Sequence, residues 1–192
     1  MKLVLGRHIY GLGAIAFGLI TLIWHSFNNW HQIRVIGNVP YAEVLAYTFA
    51  VIELIGGIAI QNLKTARFGA LTLGTVYLVF SLLWVPLIIK APLVYDRWGN
   101  FFEQISLVSG ALIAYAMPGI NYLERDKKIA KLGYISFGIC VVSFMLEQLF
   151  YLSGTASFVP KWIPPDQMFW AITTTVAFAV AALAILSDTQ LY

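Results

Sequence analysis

The chain has 192 residues, of which 60% are hydrophobic and 11% are charged. Soluble globular proteins carry about 25% charged residues, so this composition excludes an ordinary soluble domain, and it excludes a disordered chain as well. The net charge is +3, but the basic residues stand in short segments between apolar stretches. They therefore indicate membrane orientation and not a nucleic-acid partner.

Six apolar stretches follow one another along the chain, and each is long enough to cross a hydrocarbon layer of roughly 30 Å as a helix. Backbone amides in lipid need partners within their own segment, so each stretch is predicted to be helical. The sequence therefore predicts an all-α integral membrane protein, a bundle of six transmembrane helices. The predicted spans are residues 9–27, 41–60, 67–89, 101–117, 132–151 and 168–186.

The basic residues predict the orientation of this bundle. Eight of the twelve Lys and Arg residues fall on the side that holds both chain ends, and four fall on the other side. Because cytoplasmic loops are enriched in basic residues, this distribution predicts that both termini are cytoplasmic. The eight are Lys2, Arg7, Lys64, Arg67, Arg125, Lys127, Lys128 and Lys131.

A weak internal repeat divides the chain into two predicted units. When Pro40 is aligned with Pro165, the fifth and sixth spans match the first and second at several positions. Residues 1–122 are thus predicted to form a four-helix membrane unit, and residues 123–192 a two-helix partial copy of its first half. Both copies have the same orientation, which disfavours a transporter built from inverted repeats.

Four segments of the first unit together resemble the DoxX-like family of small membrane proteins. They are RHIYGLGAIAFG, AEVLAYTFAVIELIGGIAI after a loop proline, TARFGALTL and NFFEQISLVSGALIAYAMPG, and the likeness covers about residues 5–122. The later run YLSGTASFVPKWIPPDQMFW resembles a segment of the same broad family. The resemblance implies a helical bundle in the bacterial cytoplasmic (inner) membrane. Some relatives are associated with quinone-linked oxidation of sulfur compounds or with redox-protective membrane complexes, and the resemblance implies a similar association for this chain. Gln148 stands where related sequences lead us to expect histidine, which departs from the family pattern.

Charged side chains inside a membrane helix are costly, so each one is a candidate functional residue. Glu53 lies about 18 Å into the second span, just past the middle of the bilayer. His25, Glu103 and Glu147 are predicted near the outer end, where they could meet beside Gln148 and Asn100. Such a cluster can exchange protons or hydrogen-bond a quinone or a lipid headgroup. The alternative is that these side chains are structural contacts between helices.

Other chemistry has little support in the sequence. The single cysteine, Cys140, cannot form an intramolecular disulfide, a CxxC pair or a thiolate metal site. No metal-ligand spacing and no nucleotide or hydrolase motif occurs, and no catalytic residue is indicated. We therefore expect an accessory or binding component for a hydrophobic small molecule, such as quinone or a lipid, or for a partner protein. The alternative is the membrane subunit of a quinone-linked oxidoreductase, which would need an external redox partner.

Overall fold

The computed structural model describes residues 2–24, 42–116 and 123–188, with side chains described for residues 5–23, 43–116 and 123–187. This part of the chain is helical apart from short connections, and it contains no strand. Its helices are, in chain order, α1 (Lys2–Trp24), α2 (Ala42–Gln61), α3 (Ala66–Lys90), α4 (Tyr95–Ala116), α5 (Glu124–Phe150), α6 (Leu152–Ser157) and α7 (Gln167–Asp188).

Five of these helices are long and apolar enough to cross a membrane, namely α1, α2, α3, α5 and α7. Their outer faces carry large apolar side chains, among them Ile9, Ile58 and Leu183, which are at least 60% exposed. Apolar surface of this extent is costly in water and favourable in lipid. The fold is that of a multi-pass membrane protein.

The sequence predicts six spans, and α4 is the helix that accounts for the difference. With 22 residues it is long enough to cross the hydrocarbon layer. Its first half, however, contains Asp96, Arg97, Glu103 and Gln104, so it lacks an apolar stretch of membrane length such as the other five long helices have. A membrane crossing by α4 therefore depends on how these polar groups are accommodated.

Several helices begin before their predicted first residue. The helix predicted from residue 9 begins at Lys2, and the one predicted from residue 132 begins at Glu124. Hydropathy marks only the apolar part of a helix, and charged residues such as Lys127 can continue it into the polar headgroup region. The short helix α6 was not predicted, because six mostly small and polar residues give no apolar pattern.

The long helices pack antiparallel to their chain neighbours. Gly11 of α1 meets Gly57 of α2, and Gly99 of α4 meets Glu147 of α5. Helix α1 packs on α2 and also contacts α4, while α5 packs on α4 and α7 packs on α5. We call the end of the bundle that holds the turn between α3 and α4 the upper end. Helices α4 and α7 begin there, and α3 and α5 finish there.

Close approach of α1, α2 and α3 depends on glycine. A Cβ atom at Gly57 would lie 2.7 Å from the carbonyl oxygen of Gly11, and one at Gly69 would lie 2.5 Å from that of Gly56. Backbone packed this closely cannot accept even a methyl group, which is a common basis of helix association in membranes. The hydrophobic core of α1–α4 surrounds Leu73 and Phe80, which are both fully buried.

Candidate functional site

An open cavity of about 440 Å³ lies at the upper end of the bundle, lined by residues of α4, α5, α6 and α7 and of the connections that follow α5 and α6. Small-molecule sites in proteins commonly occupy about 300–1,000 Å³. The lining residues of this upper cavity are Asp96, Gly99, Asn100, Glu103, Phe144, Glu147, Gln148, Tyr151, Gly154, Thr155, Phe158 and Phe178. Its volume is therefore sufficient for a ligand headgroup.

Three carboxyl groups converge in the upper cavity. Asp96 and Glu103 lie on one face of α4, and both are close enough to Glu147 of α5 to repel its negative charge. Glu147 reaches this position because Gly99 has no side chain, so that its carboxylate packs directly on the backbone of α4. Among the described lining residues there is no Lys, Arg or His. The three carboxyl groups thus form an acidic wall of the upper cavity.

The neighbouring polar side chains are held by contacts of their own. The guanidinium of Arg97 donates to the carbonyl oxygen of Leu87, which directs it towards α3. The side-chain amide of Asn100 donates to the carbonyl oxygen of Asp96 over 2.6 Å. Arg97 is consequently turned away from the three carboxyl groups although it is next to Asp96 in sequence.

Gln148 connects α5 to α7 at the border of the upper cavity. Its side-chain oxygen lies 3.1 Å from the hydroxyl groups of both Thr174 and Thr175. Two threonine contacts on one amide fix the side chain and with it the spacing of the two helices. Gln148 is thus placed to orient the cavity wall as well as to contact a ligand.

Aromatic side chains also line the upper cavity. Phe144 of α5 and Phe178 of α7 pack edge to face, with ring centroids 6.0 Å apart. Tyr151 and Phe158 continue this wall, and Phe158 is 87% exposed. The upper cavity therefore joins an acidic wall to an aromatic wall whose rim is apolar surface.

Glu53 lies away from the upper cavity, in the core of α1–α4. Its side chain is fully buried, and neither carboxylate oxygen has a hydrogen bond of normal geometry among the described residues. The phenol groups of Tyr10 and Tyr77 are close enough to interact with it electrostatically. The Tyr10 hydroxyl donates to the carbonyl oxygen of Leu107, over 2.8 Å. Glu53 is thus a buried carboxyl group in a largely apolar setting.

The structure brings together Glu103, Glu147 and Gln148, which the sequence suggested as neighbours, and it separates Glu53 from them. His25, another predicted member of that group, lies outside the described residues. Whether any of these side chains binds a ligand or handles protons stays a prediction. In the described part of the chain, no three His, Cys, Asp or Glu side chains are placed to hold a metal ion.

The residues predicted from the sequence do not include Asp96, Tyr151 or the phenylalanines of the aromatic wall. A signal for Asp96 was present, because residues 96, 99, 100 and 103 have the spacing of one helix face. The same spacing joins Phe144, Glu147, Gln148 and Tyr151. Phe158 and Phe178 had no such signal, since their position depends on how α6 and α7 pack.

No protein-family model matches the chain, and searches of curated proteins and of solved structures find no match either. The geometry of the upper cavity is therefore the basis for a functional proposal.

Proposed function

We propose that this protein is an accessory or binding component of the bacterial cytoplasmic membrane that holds a hydrophobic small molecule, a quinone or a lipid, in the upper cavity. One observation carries the proposal, namely that Glu103, Glu147 and Gln148 line one cavity of about 440 Å³ together with aromatic side chains. A polar headgroup would contact the carboxyl and amide groups, and the apolar body would follow the aromatic wall. Membrane lipids and a partner protein are the expected partners.

The proposal includes α4 as a sixth span, and cytoplasmic termini. Buried contacts support this position of α4, because its small residues Ser109, Ala111 and Ala114 are covered by neighbouring helices. Eight of twelve basic residues lie on the side of the termini, which supports the orientation. The DoxX-like relationship and the two-unit division of the chain, 1–122 and 123–192, belong to the same proposal.

A second function is the membrane subunit of a quinone-linked oxidoreductase. It is favoured by Asn100 and Gln148, whose side-chain amides lie at the cavity and are of the type that donates to quinone carbonyl groups. The chain has one cysteine, Cys140, which is buried, so the electrons would have to come from a partner protein. Under this function a quinone co-purifies with the protein in mild detergent and is lost from Glu103→Gln.

A cavity-filling variant tests the proposal. Gly154 lines the upper cavity, and a Cβ atom added there would have its nearest neighbour, Cβ of Tyr151, at 4.0 Å. We therefore expect Gly154→Leu to fold normally while occupying ligand space. Native mass spectrometry of the gently solubilised protein should show a small molecule retained by the wild type and depleted in this variant.

The matched control is Gly13→Leu. A Cβ atom added at Gly13 has no neighbour within 4 Å, so this leucine enlarges the outer surface of α1 without touching the cavity. Equal retention of the small molecule by wild type, Gly154→Leu and Gly13→Leu would contradict the proposed function.

A further inference from the structure

Arg7 carries a buried guanidinium at the end of the bundle opposite the upper cavity. We call this end, which holds the turn between α2 and α3, the lower end. Arg7 is 6% exposed, and its Nε atom is buried without a hydrogen-bond partner. Arginine near a membrane surface normally keeps its charged group in the polar layer. The burial of Arg7 therefore requires compensation by another group.

A chain of hydrogen bonds holds the guanidinium of Arg7 in place. Its Nη2 donates to Nε2 of His8 over 3.2 Å, and Nδ1 of His8 donates to Oε1 of Gln61 over 2.6 Å. The side-chain nitrogen of Gln61 donates in turn to the carbonyl oxygens of His8 and Gly57. The imidazole accepts at one nitrogen and donates at the other, so it positions the guanidinium without supplying a negative charge.

No acidic side chain of the described residues pairs with Arg7. The ion pairs among these residues are Arg67 with Asp126 and Lys127 with Glu124. Glu53 lies on the same helix as Gln61, but about 12 Å away along the axis. A buried charge that lacks an opposite charge is strongly destabilising. In the described part of the chain, Arg7 is therefore a buried cation without a counter-charge.

Helix α1 meets α4 directly above this cation. The ring of Tyr10 packs on Gly110, and its hydroxyl donates to the carbonyl oxygen of Leu107 over 2.8 Å. Residues 7 and 10 share one face of α1, so Arg7 is one turn nearer to the lower end on the face that packs on α4. Helix α1 packs less extensively on α4 than on α2. A ligand of Arg7 would thus enter between α1 and α4 from the lower end.

The depth of Arg7 indicates the kind of anion that reaches it. Arg7 lies about 3 Å inside the apolar stretch that begins at Leu5, which is the edge of the hydrocarbon layer. Lipid headgroups bring phosphate to this level, and basic pockets between helices bind such groups. Phosphate oxygens also match the planar, forked donors of a guanidinium. We infer that Arg7 forms an anion site at the lower end, and that its ligand is the phosphate group of a membrane phospholipid or a free phosphate ion.

A pair of lipids with and without phosphate tests the site. Protein in dodecyl maltoside is washed until no lipid phosphorus remains, and phosphatidylglycerol or dioleoylglycerol is then added. Thermal unfolding is followed with a thiol-reactive fluorophore that reports the exposure of Cys140, which is buried in the folded protein. We expect phosphatidylglycerol to raise the melting temperature of the wild type saturably, because a ligand that binds only the folded state stabilises it. Dioleoylglycerol should leave the melting temperature unchanged.

Two variants that remove the same charge locate the response. Arg7→Gln should weaken the apparent affinity for phosphatidylglycerol about tenfold or more, because charge-assisted hydrogen bonds are lost. Lys64→Gln is the matched control, since Lys64 is exposed in the turn at the same end, and it should keep the wild-type affinity. If Arg7→Gln does not fold, Arg7→Lys replaces it. Lysine keeps the charge without the planar fork, so it should bind phosphatidylglycerol more weakly than the wild type does.

Inorganic phosphate identifies the source of the phosphate group. It is titrated against sodium chloride of equal ionic strength. A rise in the melting temperature of the wild type that is absent from Arg7→Gln shows that a free phosphate ion is sufficient. A response to phosphatidylglycerol without a response to inorganic phosphate assigns the site to a lipid headgroup.

The opposite results would overturn the anion site. If neither phosphatidylglycerol nor inorganic phosphate stabilises the wild type beyond its control, the charge of Arg7 is compensated within the protein. Equal responses of Arg7→Gln and Lys64→Gln would also contradict the site. If Gly154→Leu loses the response to phosphatidylglycerol while Arg7→Gln keeps it, the lipid occupies the upper cavity. That last result supports the proposed function and refutes the anion site, so the two ideas are tested separately.

Discussion

The carboxylate of Glu147 lies directly against the backbone of Gly99, so that a Cβ atom added at residue 99 would overlap Oε2 of Glu147. The contact joins α4 to α5 and sets the direction of the acidic group that faces the upper cavity. A methyl group at residue 99 would move the Glu147 carboxylate without removing it. The effect of its position can therefore be tested separately from the effect of its loss.

Gly99→Ala is therefore expected to weaken ligand binding without lowering stability. The group that must move is the far end of a flexible side chain, and alanine is about 1 kcal/mol more favourable than glycine inside a helix. We expect an unchanged or higher melting temperature together with weaker retention of the small molecule in native mass spectrometry. Binding equal to that of the wild type would show that the exact direction of the Glu147 carboxylate is unimportant.

Gly57→Ala is expected to have the opposite effect on stability. The Cβ atom would lie 2.7 Å from the carbonyl oxygen of Gly11 and 3.0 Å from the backbone nitrogen of Ile15, and backbone atoms cannot move aside cheaply. Overpacking of this kind costs about 1–3 kcal/mol. Because Cys140 is the chain's one cysteine and is buried, thermal unfolding can be followed with a thiol-reactive fluorophore. Gly13→Ala, which meets no neighbour within 4 Å, is the control and should not unfold earlier.

The sequence predicts the helices better than the cavity, for physical reasons. Lipid imposes a minimum apolar length on every span. The middle of α3 can therefore be recognised in the sequence as a long stretch without charged residues. The depth of Glu103 and Glu147 follows from counting residues along their helices, since the rise per residue is fixed. Contacts from Phe178 to Phe144 and from Gly99 to Glu147 depend on the rotation and spacing of packed helices. No local pattern in a single sequence determines those.

Glu53 is expected to destabilise the fold. Both of its oxygens are buried without a hydrogen bond of normal geometry among the described residues, and an unsatisfied buried polar group costs about 1–3 kcal/mol. Glu53→Leu should therefore raise the melting temperature measured through Cys140. Glu53→Gln keeps a polar group in the same place and should change it little. A clear loss of stability in Glu53→Leu would show that the carboxyl group makes a stabilising contact, for example with Tyr77.

Arg67 and Asp126 form an ion pair, and we expect the loss of Arg67 to destabilise the protein more than the loss of Asp126. The two side chains are 2.9 Å apart, and they are 44% and 4% exposed respectively. Asp126 also accepts from the backbone N–H of Leu123 at the start of α5, over 3.4 Å. Removing Arg67 leaves a buried carboxylate with less compensation, whereas removing Asp126 leaves a guanidinium that reaches solvent.

We therefore expect Arg67→Gln to lower stability by about 1–3 kcal/mol and Asp126→Asn to lower it by less. Thermal unfolding of both variants, followed through Cys140, checks the order. The exposed pair between Lys127 and Glu124 serves as the comparison, and Glu124→Gln should have no measurable effect. Equal losses in Arg67→Gln and Asp126→Asn would contradict the asymmetry.

The proposed crossing of α4 predicts that its two ends lie on opposite sides of the membrane. Leu93, before α4, is 96% exposed, and Leu123, after it, is 61% exposed. Single cysteines at these positions, in a Cys140→Ala background, report their side through a membrane-impermeant maleimide applied to intact cells. We expect Leu93→Cys to react at once and Leu123→Cys to react only after permeabilisation. Reaction of both before permeabilisation, or of neither, would place the two ends of α4 on the same side, and the bundle would then have five spans.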